Sequence, residues 1–183
     1  ALLSDSRYSP LEFIQFAIDY IKSNNSVEKR DLFSETQLLK TGYEYLTKTF
    51  SNSDFSYFLR HDPDRILTHT PVGIVHGDIT DSNIVVKGGQ KYLIDFGDSY
   101  YGYLVMDLAI AVCEIAFKDS EFVGLPDDVI QLIKHYLIEI NLSTDQFQEL
   151  LAISMLRFVY YCYDNEQNDF LRKYKFLICN KVI

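Results

Sequence analysis

The feature that most constrains this chain is a pair of polar motifs on either side of a short β-hairpin. The first motif, at 76–83, reads His-Gly-Asp-Ile-Thr-Asp-Ser-Asn, and the second, at 95–98, reads Asp-Phe-Gly-Asp. Two β-branched runs between them are separated by Gly-Gly, which accepts the positive φ of a tight turn. A tight hairpin returns the chain to its starting point, so we expect Asn83 and Asp95 to be neighbours, with Asp78 close to both.

These three side chains together predict phosphoryl transfer. Carboxylate and amide oxygens suit Mg²⁺, which takes one or two protein carboxylates and completes its shell with water and phosphates. The sequence pattern of a kinase is an Asp followed, after four intervening residues, by an Asn, and then an Asp-Phe-Gly motif after a hairpin. We therefore predict Asp78 as the general base, and Asn83 and Asp95 as ligands of Mg²⁺ and, through it, of the nucleotide. Taken singly, each could instead be a solvated or turn-forming residue.

The remainder of the chain is predicted to be helical. Ser9-Pro-Leu-Glu12 has capping-box spacing, and 104–117 is apolar enough for a buried helix. Further helices are predicted over 28–49, from Asp127 or Asp128 to about 140, from Ser143 or Thr144, and from about Asp169 to the end. The fold class is α+β, mainly helical, with a small central β-hairpin. We expect a single domain over 1–183, with the motifs confined to 72–107.

Composition excludes several classes of protein. The net charge is −9, from 26 acidic and 17 basic side chains, which argues against non-specific nucleic-acid binding. No apolar run approaches the roughly 20 residues of a membrane span, so no membrane contact is expected. Three widely spaced cysteines fit neither a disulfide framework nor a zinc site. A reducing compartment, with the cytoplasm as the default, is the expected location.

Four short stretches carry a resemblance to a known group. His-Gly-Asp in place of His-Arg-Asp, Ile94-Asp-Phe-Gly-Asp98, Tyr101-Gly-Tyr103 and Asp107-Leu-Ala109 resemble the aminoglycoside phosphotransferase and choline kinase superfamily. Within it, 76–111 is most similar to hydroxylysine kinase. The resemblance implies the C-terminal lobe of a protein-kinase-like fold. It also implies a small-molecule kinase that uses Mg²⁺ with ATP or GTP and phosphorylates a hydroxylated amine or amino acid such as 5-hydroxylysine.

The resemblance also assigns roles to individual residues. Asp107 would be a buried carboxylate that accepts hydrogen bonds from the catalytic-loop backbone, and His76 would brace the same loop. Asp98 and Tyr101 are candidates for substrate contact. Asp98 could equally cap a loop or helix, and Tyr101 could pack in the core. Asp81 is expected to be a solvated loop acid.

The first seventy residues lack other parts of a kinase. Before residue 73 the sequence has a single glycine, Gly42, and its lysines fall in predicted helices rather than on a strand. We expect the N-terminal nucleotide-clamping lobe to be absent, which would leave this chain alone an incomplete enzyme. The alternatives are a non-catalytic kinase-like module that binds a partner or self-associates, and the same fold acting on choline, homoserine or an aminoglycoside.

Overall fold

The computed structural model describes residues 8–25, 67–118, 121–161 and 169–183. Its helices are α1 (Pro10–Asn24), α2 (Val105–Ala116), α3 (Asp127–Glu139), α4 (Thr144–Tyr161) and α5 (Asp169–Cys179). Its strands are β1 (Val72–Val75), β2 (Ile84–Lys87), β3 (Gln90–Leu93), β4 (Tyr100–Tyr103), β5 (Phe117–Lys118) and β6 (Glu121–Phe122). The predicted α+β, mainly helical class is confirmed.

Helix α1 begins where the sequence predicts. The Ser9 hydroxyl accepts the Glu12 N–H at 3.2 Å, and the Glu12 carboxylate accepts the Ser9 N–H at 3.0 Å, which completes a capping box. The apolar face of the helix is buried, and the Tyr20 hydroxyl donates to the Ile74 carbonyl at 2.8 Å. This contact fastens α1 to strand β1. The predicted helix over 28–49 lies outside the described residues.

The strands form three separate two-stranded antiparallel sheets: β1 with β4, β2 with β3, and β5 with β6. The β2–β3 hairpin turns at Gly88 and Gly89, whose φ values of 60° and 81° are those that Gly-Gly was expected to supply. The sequence did not predict β4. Its partner β1 lies far back in the chain, so no local hairpin signal marks the pairing.

Two of these sheets place the polar motifs at their ends. In the β1–β4 sheet Val75 pairs with Tyr100, so the 76–83 loop leaves from the end at which the 95–98 segment arrives. In the β2–β3 hairpin Ile84 pairs with Leu93, so the same loop and the same segment also meet at the base of the hairpin. The strand pairing therefore brings the two motifs together from both sides.

Helix α2 lies at the centre of the hydrophobic core. Nearly all of its residues are buried, as predicted for 104–117, and it packs between α1 and α4. A helix that is apolar on every side is one that neighbours cover completely. Asp107, in its first turn, is a charged residue with no exposed surface. Glu114, near its other end, is exposed.

The C-terminal helices follow the sequence with two differences. Pro126 is the N-cap of α3, so the prediction that Asp127 or Asp128 caps this helix is wrong; both lie in its first turn. Ser143 caps α4, because its hydroxyl accepts the Gln146 N–H at 3.1 Å. Helix α5 stops at Cys179 instead of running to the end. Among the residues described, no helix combines the length and the apolar character that crossing a membrane requires.

Candidate active site

The start of the 76–83 loop is held by a buried carboxylate on α2. The His76 N–H donates to Asp107 Oδ2 at 2.8 Å, and the Gly77 N–H donates to Asp107 Oδ1 at 2.9 Å. Gly77 has a φ of 86°, a backbone conformation that glycine adopts without strain. Both carboxylate oxygens are therefore used to fix the backbone just before Asp78. This is the arrangement that the resemblance implied for Asp107.

The His76 ring joins the loop to the segment that follows the hairpin. The Asp78 N–H donates to Nδ1 at 3.2 Å, and Nε2 lies 2.8 Å from the Ile94 carbonyl. Because Nδ1 accepts a proton donor, the ring proton resides on Nε2 and is donated to Ile94. The ring is fully buried and meets the Phe96 ring edge to face at 4.6 Å. The tautomer with its proton on Nε2 thus forms a hydrogen bond with each of the two segments.

Asp78 and Asn83 are in direct contact. The Asn83 Nδ2 donates to the Asp78 carbonyl and to Asp78 Oδ2, each at 2.9 Å. Both groups are half-buried. Since the amide nitrogen makes both bonds, the amide oxygen, Oδ1, is directed away from Asp78 and can serve as a ligand. The one-turn 3-10 helix Asp81–Asn83 produces this contact by folding the loop back.

Asp95 lies next to Asn83 through the backbone. The Ile94 N–H donates to the Asn83 carbonyl at 2.9 Å, immediately before Asp95. Asp95 itself has a φ of 63°, in the left-handed region, and its side chain is exposed. A Cβ placed on Gly97 would lie only 3.3 Å from Asp95 Oδ1, so glycine leaves room beside this carboxylate.

The donors present fit Mg²⁺ better than a softer metal. Asn83 offers an amide oxygen and Asp95 a carboxylate, which are hard ligands of the kind that Mg²⁺ takes together with phosphates and water. Across the four described ranges, no three His, Cys, Asp or Glu side chains gather as a metal-binding group. A site built from one carboxylate and one amide suits an ion that arrives with a nucleotide.

Three other predicted residues have different surroundings. Asp98 is exposed in the turn before β4, and Tyr101 is half-buried in β4 opposite Ile74. Asp81 is half-buried and its Oδ1 is shielded from solvent, so the expectation of a solvated acid is wrong.

Sequence reasoning missed Glu114, a third acid near the loop. Burial raises the pKa of its carboxyl; the nearby Lys173 lowers that pKa, and the charges of Asp78 and Asp81 raise it further. Glu114 belongs to no recognisable sequence motif, because its neighbours in the helix are apolar. The available signal was its spacing of seven residues from Asp107, which places both on one helix face.

Parts of longer proteins are similar in sequence to this chain. A probable bifunctional tRNA threonylcarbamoyladenosine biosynthesis protein of Methanosphaera stadtmanae is 27% identical over 137 residues, 74% of this chain and 23% of that protein. A protein of the same description from Methanosarcina barkeri is 62% identical over 29 residues, 16% of this chain and 5% of that protein. The chain therefore spans less than a quarter of the length of these curated relatives.

Solved structures share the fold. A choline/ethanolamine kinase family protein from Mesorhizobium loti superposes with a TM-score of 0.59 at 14% identity, over 93% of this chain and 62% of that one. The ethanolamine kinase of Plasmodium vivax gives a TM-score of 0.50 at 18% identity, over 94% and 49%. At these identities the likeness establishes the protein-kinase-like fold alone.

The family model for phosphotransferase enzymes matches residues 28–132, which is more than half of the sequence and includes both polar motifs. The matched range also contains the Asp107 anchor and the whole β2–β3 hairpin. With the loop geometry and the kinase fold in place, the chain belongs to the phosphotransferase enzyme family.

Proposed function

We propose that this chain carries the catalytic loop of a small-molecule kinase that moves the γ-phosphoryl group of ATP or GTP to an alcohol. The observation that carries the proposal is the double contact of the Asn83 amide nitrogen with Asp78. It holds the Asp78 carboxylate beside the Asn83 amide and leaves the amide oxygen for another partner. Membership of the phosphotransferase family supports the same chemistry.

Each of the proposed site residues has a separate role in the reaction. Asp78 orients the acceptor hydroxyl and takes its proton as the oxygen attacks the γ-phosphorus in line, while the bond to the nucleoside diphosphate breaks. Asn83 Oδ1 and Asp95 would hold Mg²⁺, which supplies charge neutralisation on the phosphates. His76 and Asp107 position the loop through the contacts described above. Asp98 and Tyr101 remain candidates for contact with substrate.

The acceptor is proposed to be a hydroxylated amine or amino acid. The chain is acidic overall, and Asp78, Asp81 and Glu114 lie within electrostatic reach of one another. Such surroundings favour a cationic acceptor. Hydroxylysine kinase is the group that 76–111 resembles, so 5-hydroxylysine is the first acceptor to test; choline, homoserine and aminoglycosides are the alternatives.

The chain is further proposed to be a C-terminal lobe, with the reaction centred on 72–107. Its alignment to 62% of the Mesorhizobium loti kinase chain supports this assignment. The nucleotide would then be clamped by a second lobe, as the sequence analysis expects. Assays of turnover therefore belong with the full-length protein that contains this sequence.

The decisive experiment is an acceptor screen with the full-length protein, Mg²⁺ and either ATP or GTP. Asp78→Asn should lower kcat by about 10²- to 10⁴-fold, because the base is lost. Asp95→Asn should weaken Mg²⁺-dependent nucleotide binding, and Asp127→Asn, an exposed acid on α3, should change neither. Full turnover by Asp78→Asn would remove the assignment of the base.

A second candidate follows from the archaeal relatives. The identity of 62% over 29 residues supports, as the second candidate, a part of a tRNA threonylcarbamoyladenosine biosynthesis protein. The net charge of −9 disfavours direct tRNA contact. Turnover that needs tRNA or a protein partner and ignores every small amine would favour this candidate. A thermal shift with Mg²⁺ and nucleotide that Asp95→Asn abolishes would favour retained active-site chemistry, whereas no shift together with dimerisation would favour a non-catalytic module.

A further inference from the structure

The end of helix α1 lies against strand β1 just ahead of the 76–83 loop. The Tyr20 hydroxyl donates to the Ile74 carbonyl at 2.8 Å, and Asn25, directly after the helix, forms an isolated antiparallel bridge with Gly73. Gly73 is also paired with Gly102 of β4. Strand β1 is therefore flanked by β4 on one edge and by the end of α1 on the other.

The contact between α1 and β1 is one of backbone against backbone at Gly73. A Cβ at this position would overlap the Asn24 carbonyl oxygen and would lie 3.0 Å from Leu104 Cδ1. Glycine is the residue that permits so close an approach of two backbones. The helix end and the strand are thus held at a fixed separation.

The Tyr20 hydroxyl is suited to be a constant donor in this contact. The side chain is half-buried, and burial raises the pKa of its hydroxyl, which the charge of Asp107 raises further. A phenol with a raised pKa keeps its proton throughout the pH range of an ordinary assay. The hydrogen bond to Ile74 therefore does not depend on pH under those conditions.

Two helices thus hold the junction between β1 and the loop, at points only a few residues apart. Helix α1 holds the Ile74 carbonyl through Tyr20, and α2 holds the N–H groups of His76 and Gly77 through Asp107. The two helices pack against each other in the core, so both attachments belong to one packed unit. A shift of β1 along its own direction would strain both attachments.

We propose that Tyr20 is a positioning residue for the 76–83 loop: its hydrogen bond to Ile74 fixes the end of β1, and through it the place at which Asp78 meets the acceptor hydroxyl. The catalytic consequence rests on the proposed function. A displacement of about 1 Å at a distance from the chemistry can cost about a hundredfold in rate. Tyr20 lies 54 positions before Ile74, outside the range in which the motifs are found.

The test compares two Tyr→Phe variants of the full-length protein. Tyr20→Phe removes the hydroxyl and keeps the ring. Tyr136→Phe is the matched control, because Tyr136 on α3 is buried and its hydroxyl has no hydrogen-bond partner in the described part of the chain. Neither variant changes a residue of the proposed site.

The first measurement is amide hydrogen exchange, which needs no activity. In Tyr20→Phe the N–H groups of His76 and Gly77 should exchange about five- to tenfold faster, the equivalent of one lost neutral hydrogen bond. Amides inside α4 should exchange at the unaltered rate, and Tyr136→Phe should change neither set. Unchanged exchange at His76 and Gly77 overturns the inference. An equal rise at every amide overturns it too, because Tyr20 would then only stabilise the fold.

The second measurement is steady-state kinetics with Mg²⁺, nucleotide and an acceptor. Tyr20→Phe should lower kcat by about tenfold or more and leave both KM values unchanged, because the binding groups stay in place and only the alignment of the base is lost. Unchanged kcat in an active protein overturns the inference. If the unaltered protein transfers phosphate to no acceptor, the proposed function alone fails, and the exchange rates still decide whether Tyr20 positions the loop.

Discussion

The loop at 76–83 and the segment at 94–98 lie side by side but are held very differently. The loop begins on the buried residues His76 and Gly77, whose N–H groups are both bonded to Asp107. In the segment, Ile94 is 42% exposed and Phe96 is 45% exposed, and Asp95 is exposed as well. The helical core itself therefore positions the proposed base, whereas the proposed metal ligand faces outward.

This difference suggests a division of labour. A base must be fixed within a fraction of an ångström of the attacking hydroxyl. A metal ligand on an exposed segment can instead be completed by the nucleotide and by whatever covers this surface. The apolar side chains of Ile94 and Phe96 are suited to such a covering. Four changes test the comparison, and we take them in order of decreasing expected effect.

Asp107→Ala should have the largest effect on stability. It leaves the N–H groups of His76 and Gly77 buried without an acceptor, at about 1–3 kcal/mol each. We expect a loss of about 2–6 kcal/mol in the free energy of unfolding, measured by urea denaturation. Asp98→Ala, at an exposed acid, should stay within about 0.5 kcal/mol. Equal effects at the two positions would contradict the proposed contrast.

His76→Phe should come next, because it removes a side chain that bonds both the loop and the segment. The Asp78 N–H and the Ile94 carbonyl each lose a partner, and a loss of about 1–3 kcal/mol follows. Activity should fall more than stability predicts, since the ring no longer joins the backbone at Asp78 to the segment, although the Ile94 N–H still bonds the Asn83 carbonyl. His69→Gln, an exposed histidine, is the control. Wild-type activity in His76→Phe would show that the link is dispensable.

Asp95→Gly should separate stability from function. Its φ of 63° is unfavourable for most side chains, so glycine should leave the protein equally stable or stabilise it by up to about 1 kcal/mol. Asp95→Ala, which keeps the strain, should destabilise by a similar amount. Both should lose Mg²⁺-dependent nucleotide binding, as followed by thermal melting. A marked loss of stability in Asp95→Gly would mean that the carboxylate holds the fold.

Glu114→Gln should have the smallest effect, visible in the pH dependence of melting. Partial desolvation by the surrounding protein raises the pKa of Glu114, and the charges of Asp78 and Asp81 raise it further while Lys173 lowers it, so its ionised form is penalised in the folded state. That penalty is absent below the usual glutamate pKa and appears as the pH rises through the raised value. Glu114→Gln should therefore raise Tm slightly at pH 7 and leave it unchanged at pH 4. The exposure of the residue screens the charge and keeps the shift small.

Local spacing was enough to predict much of the fold. The Gly-Gly turn, the Ser9 cap and the buried α2 all depend on neighbours within a few residues, and each is confirmed. Strand β4 was missed because its partner residues in β1 lie 25 to 31 positions back in the chain, from Val75 paired with Tyr100 to Val72 paired with Tyr103. The α3 cap was misplaced because the helix already begins at Asp127, so that the N-cap position falls on Pro126, whose ψ of 148° is extended.

In the site, too, local spacing predicted some contacts, while others depend on tertiary packing. The contact between Asp78 and Asn83 arises within one short loop, and the spacing indicated it. The tautomer of His76 depends on Ile94, and the surroundings of Asp81 and Glu114 depend on tertiary packing, so no pattern in the sequence could define them. The catalytic and ligand roles of these residues stay predictions until the variants are measured.

The seven-residue interval on α2 separates the anchor of the loop from the exposed end of the same helix. The first turn holds the loop through Asp107, and Glu114 lies in the last turn. Because two helical turns lie between these positions, a substitution at 114 leaves both hydrogen bonds of Asp107 in place. The outer end of the helix can therefore vary in sequence without moving the backbone that precedes Asp78.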